Sequence, residues 1–596
     1  MEPQRASRRH ALVLGAILGL ALVLRLAHWW AVRDQPFFAW LVMDSQEYDR
    51  WAQEIASGDW LGSQVFFQAP LYPYLLAGLY TLFGRSLDAV YLLQIALAVA
   101  GCYALYRAGR EMASEGVGLG AALLAVVYGP FLFYDAQLLK ESPAVAVTCF
   151  LLWTLATARS RPGVGCWLGA GLLLGVLALL RENALLLVPF LLPLAWSREG
   201  RGRALLRRGG ALVAGLLLAL LPVALRNGFV GGDFLPTTSQ GGVNFYIGNN
   251  PQADGTYQPI VPGKQIPALE RREPVRIAEQ AAGRRLTAGE VSRYWLGRSL
   301  AWARQAPGAF LRLQVRKLGM FWSWYEWPDA VDYYYVKTRS AVLRLPLLEF
   351  GGAVLLALAG LVLARRRLAP FAPALLFALG WMLSTVVFFL FSRYRLPAVP
   401  PLLVFGGVTL DRLAEAWQSA HRKRAAGLAA IVLAALLLPR AMGFGPRMDL
   451  VEYNLGRLYE EQGRPAEAQE HYRAAFAYNS KDSLTCLNLG NLAARRGEWA
   501  IALRFYQRAA ALEPRSDDVE SNQGGVYLAL GDLAQAEEHL GRALALNPQN
   551  LPALQNETLL LARRGDLPGA RELNRRLLEL DPKNAAGLRL KARLGS

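Results

Sequence analysis

Cysteine and histidine are nearly missing from this chain, with four Cys and five His in 596 residues. Cys102, Cys149 and Cys166 fall in apolar runs and Cys486 stands apart near the C-terminal end, so no spacing supports a disulfide framework or a thiolate metal site. Charge is scarce too: 18% charged against 54% hydrophobic residues excludes an ordinary soluble protein. Acidic groups are the minority, 46 against 64 Lys and Arg, for a formal charge of +18. That excess is not gathered on one polar segment. It sits in short arginine clusters between apolar runs, which argues against a nucleic-acid partner and for a membrane protein oriented by charge. The first apolar stretch follows Arg5, Arg8 and Arg9 and lacks a clean small-residue cleavage site, so it reads as an uncleaved first span. Polar residues near mid-span and repeated halves, the marks of a transporter, are not seen.

What is present is a series of apolar runs ending near residue 441, several close to the roughly 20 residues that cross a bilayer. Reading spans at 11–32, 86–107, 117–134, 138–158, 164–180, 183–197, 210–226, 347–364, 371–391, 396–414 and 425–441 gives eleven. Alternate short loops are cationic: Arg107 and Arg110; Arg159 and Arg161; Arg198, Arg201, Arg203, Arg207 and Arg208; Arg365, Arg366 and Arg367; Arg422, Lys423 and Arg424. By the positive-inside rule the N-terminus is cytoplasmic, in a bacterial inner or plasma membrane. The loops at 33–85, 134–139, 227–346 and 392–395 then face outward. The runs flanking Arg181 are the shortest, so a tilted or re-entrant pair is open there.

Beyond Gly443–Met448 the composition turns polar and repeats every 34 residues, the period of tetratricopeptide helix pairs. Gly456, Gly490 and Gly524 keep the register, as do Gly463, Gly497, Gly531 and Gly565, Ala468, Ala502, Ala536 and Ala570, and Pro514, Pro548 and Pro582. Four repeats cover about 451–586. The small residues let paired helices approach, and the proline follows a helix it cannot continue. Eleven spans put this module on the same side as the 33–85 loop, as a protein-binding surface or a structural cap. The expected organisation is all-α: a polytopic membrane domain over 1–443 and a repeat solenoid over 448–596.

The first outward loop is unusually rich for a connector. Asp44 leads a predicted amphipathic helix over 45–57, with Tyr48, Trp51, Ala52 and Ile55 on one face and Gly58 ending it, and Pro70 and Pro73 open a second interfacial segment. Asp44 is either a chemical group or an N-cap with Glu47 completing a capping box. Its company favours chemistry. Asp135, Lys140 and Glu141 surround the entry of the fourth span, Arg226 and Asn227 end the seventh, and Arg393, Tyr394 and Arg395 precede the tenth, where ionisable groups are costly unless used. A carboxylate with arginines suits glycosyl transfer from a lipid phosphate: the carboxylate accepts the hydroxyl proton and arginine stabilises the leaving charge. The alternative for Lys140, Glu141 and the arginines is interfacial anchoring by snorkelling, which is also the expected role of Arg25. Arg181-Glu182-Asn183 should be buried at a pore or turned to an interface, with no chemical step assigned. The glycines and asparagines of 241–255 read as turns with positive φ, and the aromatics of 321–328 as an interfacial belt.

Asp44-Ser45-x-x-Tyr48, Pro70-Leu71-Tyr72-Pro73, Leu139-Lys140-Glu141, Arg226-Asn227, Gly248-Asn249-Asn250-Pro251 and Arg393-Tyr394-Arg395-Leu396-Pro397 occur in this order between the spans. Over residues 9–440 the chain resembles the GT-C glycosyltransferases of the family 39 and aminoarabinose-transferase-like group. The fused repeats resemble the tails of eukaryotic protein O-mannosyltransferases. The resemblance implies inverting transfer from a polyprenyl-phosphate sugar to an extracytoplasmic acceptor, a protein or an envelope glycan or lipid. It makes Asp44 the general base, Glu141 or Asp135 the second acidic position, and Arg393, Arg395, Lys140 and Arg226 the groups near donor phosphate. Glu47, Tyr48, Tyr72 and Asn249 are candidate acceptor or sugar contacts. No Asp-x-Asp follows the fourth-span entry, so a divalent metal is left open and no cofactor is assigned. The rival readings are an O-glycan ligase, a flippase of lipid-linked glycans and a non-catalytic membrane scaffold for the repeats.

Overall fold

A computed structural model describes residues 2–161, 163–196, 201–261, 267–419 and 421–595. Every regular element among them is helical, apart from one isolated parallel bridge between Tyr128 and Leu348. The chain divides into two compact units, 1–260 with 266–446, and 261–265 with 447–596.

Among the described residues of the first unit seven helices are long and apolar enough to cross a membrane: Arg8–Val32, Leu87–Met112, Glu141–Ser160, Gly202–Gly231, Ala369–Val386, Ser392–Gln418 and Arg422–Ala441. They answer to seven of the eleven expected spans. The other four fall on shorter or broken elements. The 117–134 run splits into Glu115–Val126 and Gly129–Asp135, because Pro130 ends the first stretch and Tyr128 is extended, pairing with Leu348 through Gly129 N and Leu348 N. Val164–Leu180 and Phe350–Ala364 are apolar helices of 17 and 15 residues. The 183–197 run is a series of short turns, Glu182–Leu187, Val188–Leu191 and Leu192–Ala195, interrupted at Pro189 and Pro193.

Helices of this unit approach closely at glycine, as expected where lipid supplies no hydrophobic drive and packing must hold them. A Cβ on Gly171 would strike the Leu212 carbonyl and one on Gly215 the Leu168 carbonyl, which joins Val164–Leu180 to Arg201–Gly231. Gly360 against the Phe405 carbonyl joins Phe350–Ala364 to Val399–Gln418 in the same way.

Outside the spans, helix Asp44–Ala56 lies on Leu71–Phe83. Tyr48, Ala52 and Ile55 are buried on the expected face, with Tyr48 edge-on to Tyr72 at 5.4 Å between ring centres. Asp49 locks the pair, accepting from Tyr80 Oη at 2.7 Å and from Arg85. The glycines of 241–248 depart from the expectation: they form a helix, Gly241–Gly248, and none has positive φ. Their reason is proximity. A Cβ on Gly242 would collide with the Ser292 carbonyl of helix Ala288–Gln305, and one on Gly248 with the Phe388 carbonyl.

The second unit is four helix pairs closed by a single helix: Met448–Glu461 with Pro465–Tyr478, Ser483–Arg495 with Trp499–Leu512, Asp517–Leu530 with Leu533–Leu546, Leu551–Arg563 with Leu567–Leu580, then Ala585–Leu594. The two glycine registers do different work. Gly456 and Gly490 make room for the rings of Tyr472 and Tyr506, whereas Gly463, Gly497, Gly531 and Gly565 all take positive φ in the turn between paired helices.

Gly242→Ala is expected to destabilise the first unit by about 1–3 kcal/mol, because a backbone carbonyl cannot swing aside as a side chain can. Gly241→Ala, with nothing within 4 Å of the added atom, should leave the thermal unfolding of the detergent-solubilised chain nearly unchanged.

Candidate functional site

Met43 is the only non-glycine residue with positive φ, +50°, among the described residues. Such a backbone costs on the order of 1–3 kcal/mol and persists where surroundings impose it. Here it swings the chain so that Asp44 is the first residue of helix Asp44–Ala56, and Met43, not Asp44, is the cap. The capping box is therefore not formed. The Asp44 carboxylate turns away from its own helix to Arg393, 2.8 Å away, and Glu47 pairs with Arg50 and Arg271.

Asp44 and Arg393 border a cavity of about 210 Å³. Its wall is assembled from helix ends. Arg393 lies in the single turn Ser392–Arg395 ahead of the proline-rich start of Val399–Gln418. Lys140 caps, and Glu141 begins, the helix Glu141–Ser160. Arg181 sits at the break after Val164–Leu180 and stacks over Tyr394, 4.6 Å from the ring centre. Asp329 comes from the segment that follows Trp327-Pro328. Lys140, Arg181, Arg393, Asp44, Asp329, Glu182 and Glu270 line the cavity together with Tyr48, Gln68, Gln240, Asn244, Tyr257 and Tyr394, while Phe388, Phe389 and Phe391 supply an apolar side.

Arg393 is the hub. Its Nη2 meets Asp44 Oδ2 at 2.8 Å and Asp329 Oδ2 at 2.9 Å, and its Nε lies 3.8 Å from Glu141 Oε1. Glu141 is 1% exposed and bonds to Arg181. Nε of Arg393 and Oε2 of Glu141 are buried without a hydrogen-bond partner among the described residues. Glu182 accepts from Gln240 at 2.8 Å and Thr238 at 3.2 Å, tying the cationic wall to the outer segment.

The two carboxylates that share Arg393 diverge. Burial acts to raise the Asp44 carboxyl, but Arg393 beside it, with Lys140 and Arg181 farther off, holds it below the usual range. At Asp329 burial wins over Arg393, and the charges of Asp44 and Glu141 add to the rise. Across the cavity Glu270 is pushed up to about 7, first by burial and then by Asp44 and Asp329, against a hydrogen bond from Tyr257 Oη that lowers it.

Other residues singled out in the sequence lie elsewhere. Asp135 pairs with Arg25 at 2.8 Å and accepts from Ser142, in a separate small cavity with Cys102 and Cys149. Arg25 is thus 2% exposed and paired inside the bundle, not snorkelling to an interface. Lys140 and Glu141 are buried as well, 6% and 1% exposed, so neither reaches out as an anchor. Arg395 pairs with Glu326 and donates to the carbonyls of Phe321, Ser323 and Tyr325. Arg226 donates to the carbonyls of Leu61 and Gln64 across the ring of Phe66. Tyr72 donates to Gln94 at 2.6 Å, and Asn249 bridges Phe245 and Val387 and accepts from Lys317 and Gln314. Of these residues only Lys140 borders the main cavity. The structure adds Asp329, Glu182, Glu270 and Arg181. Arg181 carried a signal, a charge interrupting an apolar run; Asp329 had only its place after Trp327-Pro328. No group of three or more His, Cys, Asp or Glu gathers for a metal among the described residues.

Residues 68–225 match the family model described as dolichyl-phosphate-mannose-protein mannosyltransferase, and residues 453–519 and 527–594 match tetratricopeptide repeat models. No curated protein matches. Solved structures similar to part of the chain include the tetratricopeptide domain of Arabidopsis OM64 (24% identity, 19% of this chain, 93% of that one, TM-score 0.19). Two others are pilF of Pseudomonas aeruginosa (22%, 31% and 79%, TM-score 0.23) and MamA of Desulfovibrio magneticus RS-1 (19%, 25% and 83%, TM-score 0.23).

Glu270 yields a pH prediction with a fixed sign. Its folded value, about 7, lies above the ordinary 4.5, so the stability it contributes is full below pH 4.5 and lost as pH rises through 7. Glu270→Gln should flatten the dependence of Tm on pH between about 5 and 8, read by thermal denaturation of the full chain; a wild-type slope in the variant contradicts the assignment.

Proposed function

From a membrane glycosyltransferase of the GT-C type joined to tetratricopeptide repeats, we propose a finer reading: the chain transfers a sugar from a polyprenyl-phosphate-linked donor to an extracytoplasmic acceptor, with inversion and with Asp44 as general base. The observation that carries it is the carboxylate of Asp44 set against Arg393 on a cavity wall that also holds Lys140 and Arg181. The acceptor hydroxyl oxygen bonds to the anomeric carbon as the bond from that carbon to phosphate oxygen breaks. The hydroxyl proton passes to Asp44, and polyprenyl phosphate leaves with the electron pair.

Each requirement has a group on the wall. A base must be ionised, and Arg393 favours that state of Asp44. A leaving phosphate needs fixed positive charge in a low-dielectric site, which Arg393, Lys140 and Arg181 supply. Glu141, the second acidic position, orients Arg181. Tyr48 lines the cavity and serves in this reading as a sugar contact. Arg395, Arg226, Glu47, Tyr72 and Asn249 support the surrounding segments through the contacts given above, and Asp135 pairs with Arg25 inside the bundle. The family description suggests a mannosyl donor, within a broader class of hexosyl or pentosyl polyprenyl phosphates.

The positive-inside pattern supports a cytoplasmic N-terminus in a bacterial plasma membrane, with the cavity loops and the repeats outside. The repeats then bring a protein acceptor or partner to the site.

In purified, lipid-reconstituted protein Asp44→Asn should cut transfer by about 10²–10⁴-fold with the melting curve intact; full activity would remove Asp44 from the mechanism. Truncation before Met448 should impair acceptor choice more than donor hydrolysis, and equal loss of both would contradict a recruiting role for the repeats.

A further inference from the structure

We propose that Asp329 is a positioning residue for this transfer: it keeps hold of Arg393 so that the guanidinium can release Asp44 to a donor phosphate without losing both of its close carboxylate partners. The inference rests on the proposed function and concerns a carboxylate that the family resemblance did not supply.

Nη2 of Arg393 donates a hydrogen bond to Asp44 Oδ2 at 2.8 Å and is ion-paired with Asp329 Oδ2 at 2.9 Å. Arg393 has a side chain 7% exposed, while Asp44 and Asp329 are 27% and 28% exposed toward the cavity. A phosphate oxygen entering that cavity competes for the hydrogen now on Asp44, and the unpartnered Nε–H of Arg393 offers a second donor. Without Asp329 this exchange would leave the guanidinium only the longer, 3.8 Å pairing with Glu141, a costly step. With Asp329 in place one close ion pair persists and the group pivots.

The exchange also reconciles two demands on Asp44. In the resting site Arg393 keeps it ionised, and a carboxylate so held is a weak base. Once the guanidinium turns to phosphate, burial is left with less opposition and the proton affinity of Asp44 rises. That rise coincides with arrival of the donor, when a hydroxyl proton must be accepted. Asp329 carries a second consequence: its negative charge beside an anion site weakens phosphate binding.

The test measures polyprenyl monophosphate binding and donor-dependent transfer by the full chain in lipid. Asp329→Asn removes the charge and keeps the shape. It should tighten polyprenyl monophosphate binding by roughly three- to tenfold and lower kcat by about tenfold or more, so that KM and kcat fall together. A merely structural role would weaken binding and raise KM. Asp329→Glu, which restores the charge, should return kcat to within about threefold of wild type. Wild-type kcat in Asp329→Asn, or weaker lipid-phosphate binding by a folded variant, overturns the inference. If Asp329→Asn fails to fold, Asp329→Glu carries the test, and a kcat loss beyond about tenfold overturns it. A wild-type chain that binds the lipid phosphate but transfers no sugar overturns the proposed function and this inference with it. Wild-type transfer alongside an unaffected Asp329→Asn overturns the inference alone.

Discussion

A buried guanidinium among carboxylates governs this structure. Arg393 is taken out of water, which is tolerable only if its charge is met by partners of opposite sign. The chain meets it from three directions, with Asp44, Asp329 and, at longer range, Glu141. Glu141 in turn is buried and needs Arg181, and Arg181 lies over Tyr394, next to Arg393 in sequence. These buried charges are compensated only when the segments meet, so the distant parts of the chain must come together.

All of these groups but Asp329, which lies in irregular chain, share a second property: each sits where a helix begins, ends or breaks. Asp44 and Glu141 occupy the first position of their helices, where backbone N–H groups favour negative charge. Arg181 stands where Val164–Leu180 gives way to a tighter turn, and Arg393 in a single turn before a run that includes Pro397, Pro400 and Pro401. Irregular backbone at membrane depth survives only where it lines a cavity or is covered by protein. The breaks that shorten the apolar runs are therefore the same features that give the cavity its polar wall.

How much of this was legible in the chain depends on how local the governing physics is. The repeat unit was readable because each helix pair packs on its neighbours at a constant period, so Gly456 against Tyr472 recurs as Gly490 against Tyr506. The long spans were readable because an apolar run must be a helix in lipid. Asp44 stood out at the head of an amphipathic loop helix, and Arg393 as a charge at the end of an apolar run. The glycines of Gly241–Gly248 misled, because crowding by Ser292 and Phe388 leaves the same mark in sequence as a demand for positive φ. Arg25 misled as well, since its partner Asp135 lies far along the chain and a lone arginine near a span end looks like an anchor.

By itself the sequence determined the class of protein, its helices, the repeat register and the presence of opposite charges at span ends. These follow from hydropathy and periodicity, which act over neighbouring residues. Only the tertiary structure decided which charges meet: that Asp44 leaves its own helix for Arg393, that Asp135 turns to Arg25, and that Asp329 joins the pair. Ion pairing between residues remote in sequence leaves no periodic trace in the chain. It is chosen by burial, which makes an unpaired charge intolerable and so selects the one packing in which each finds a partner.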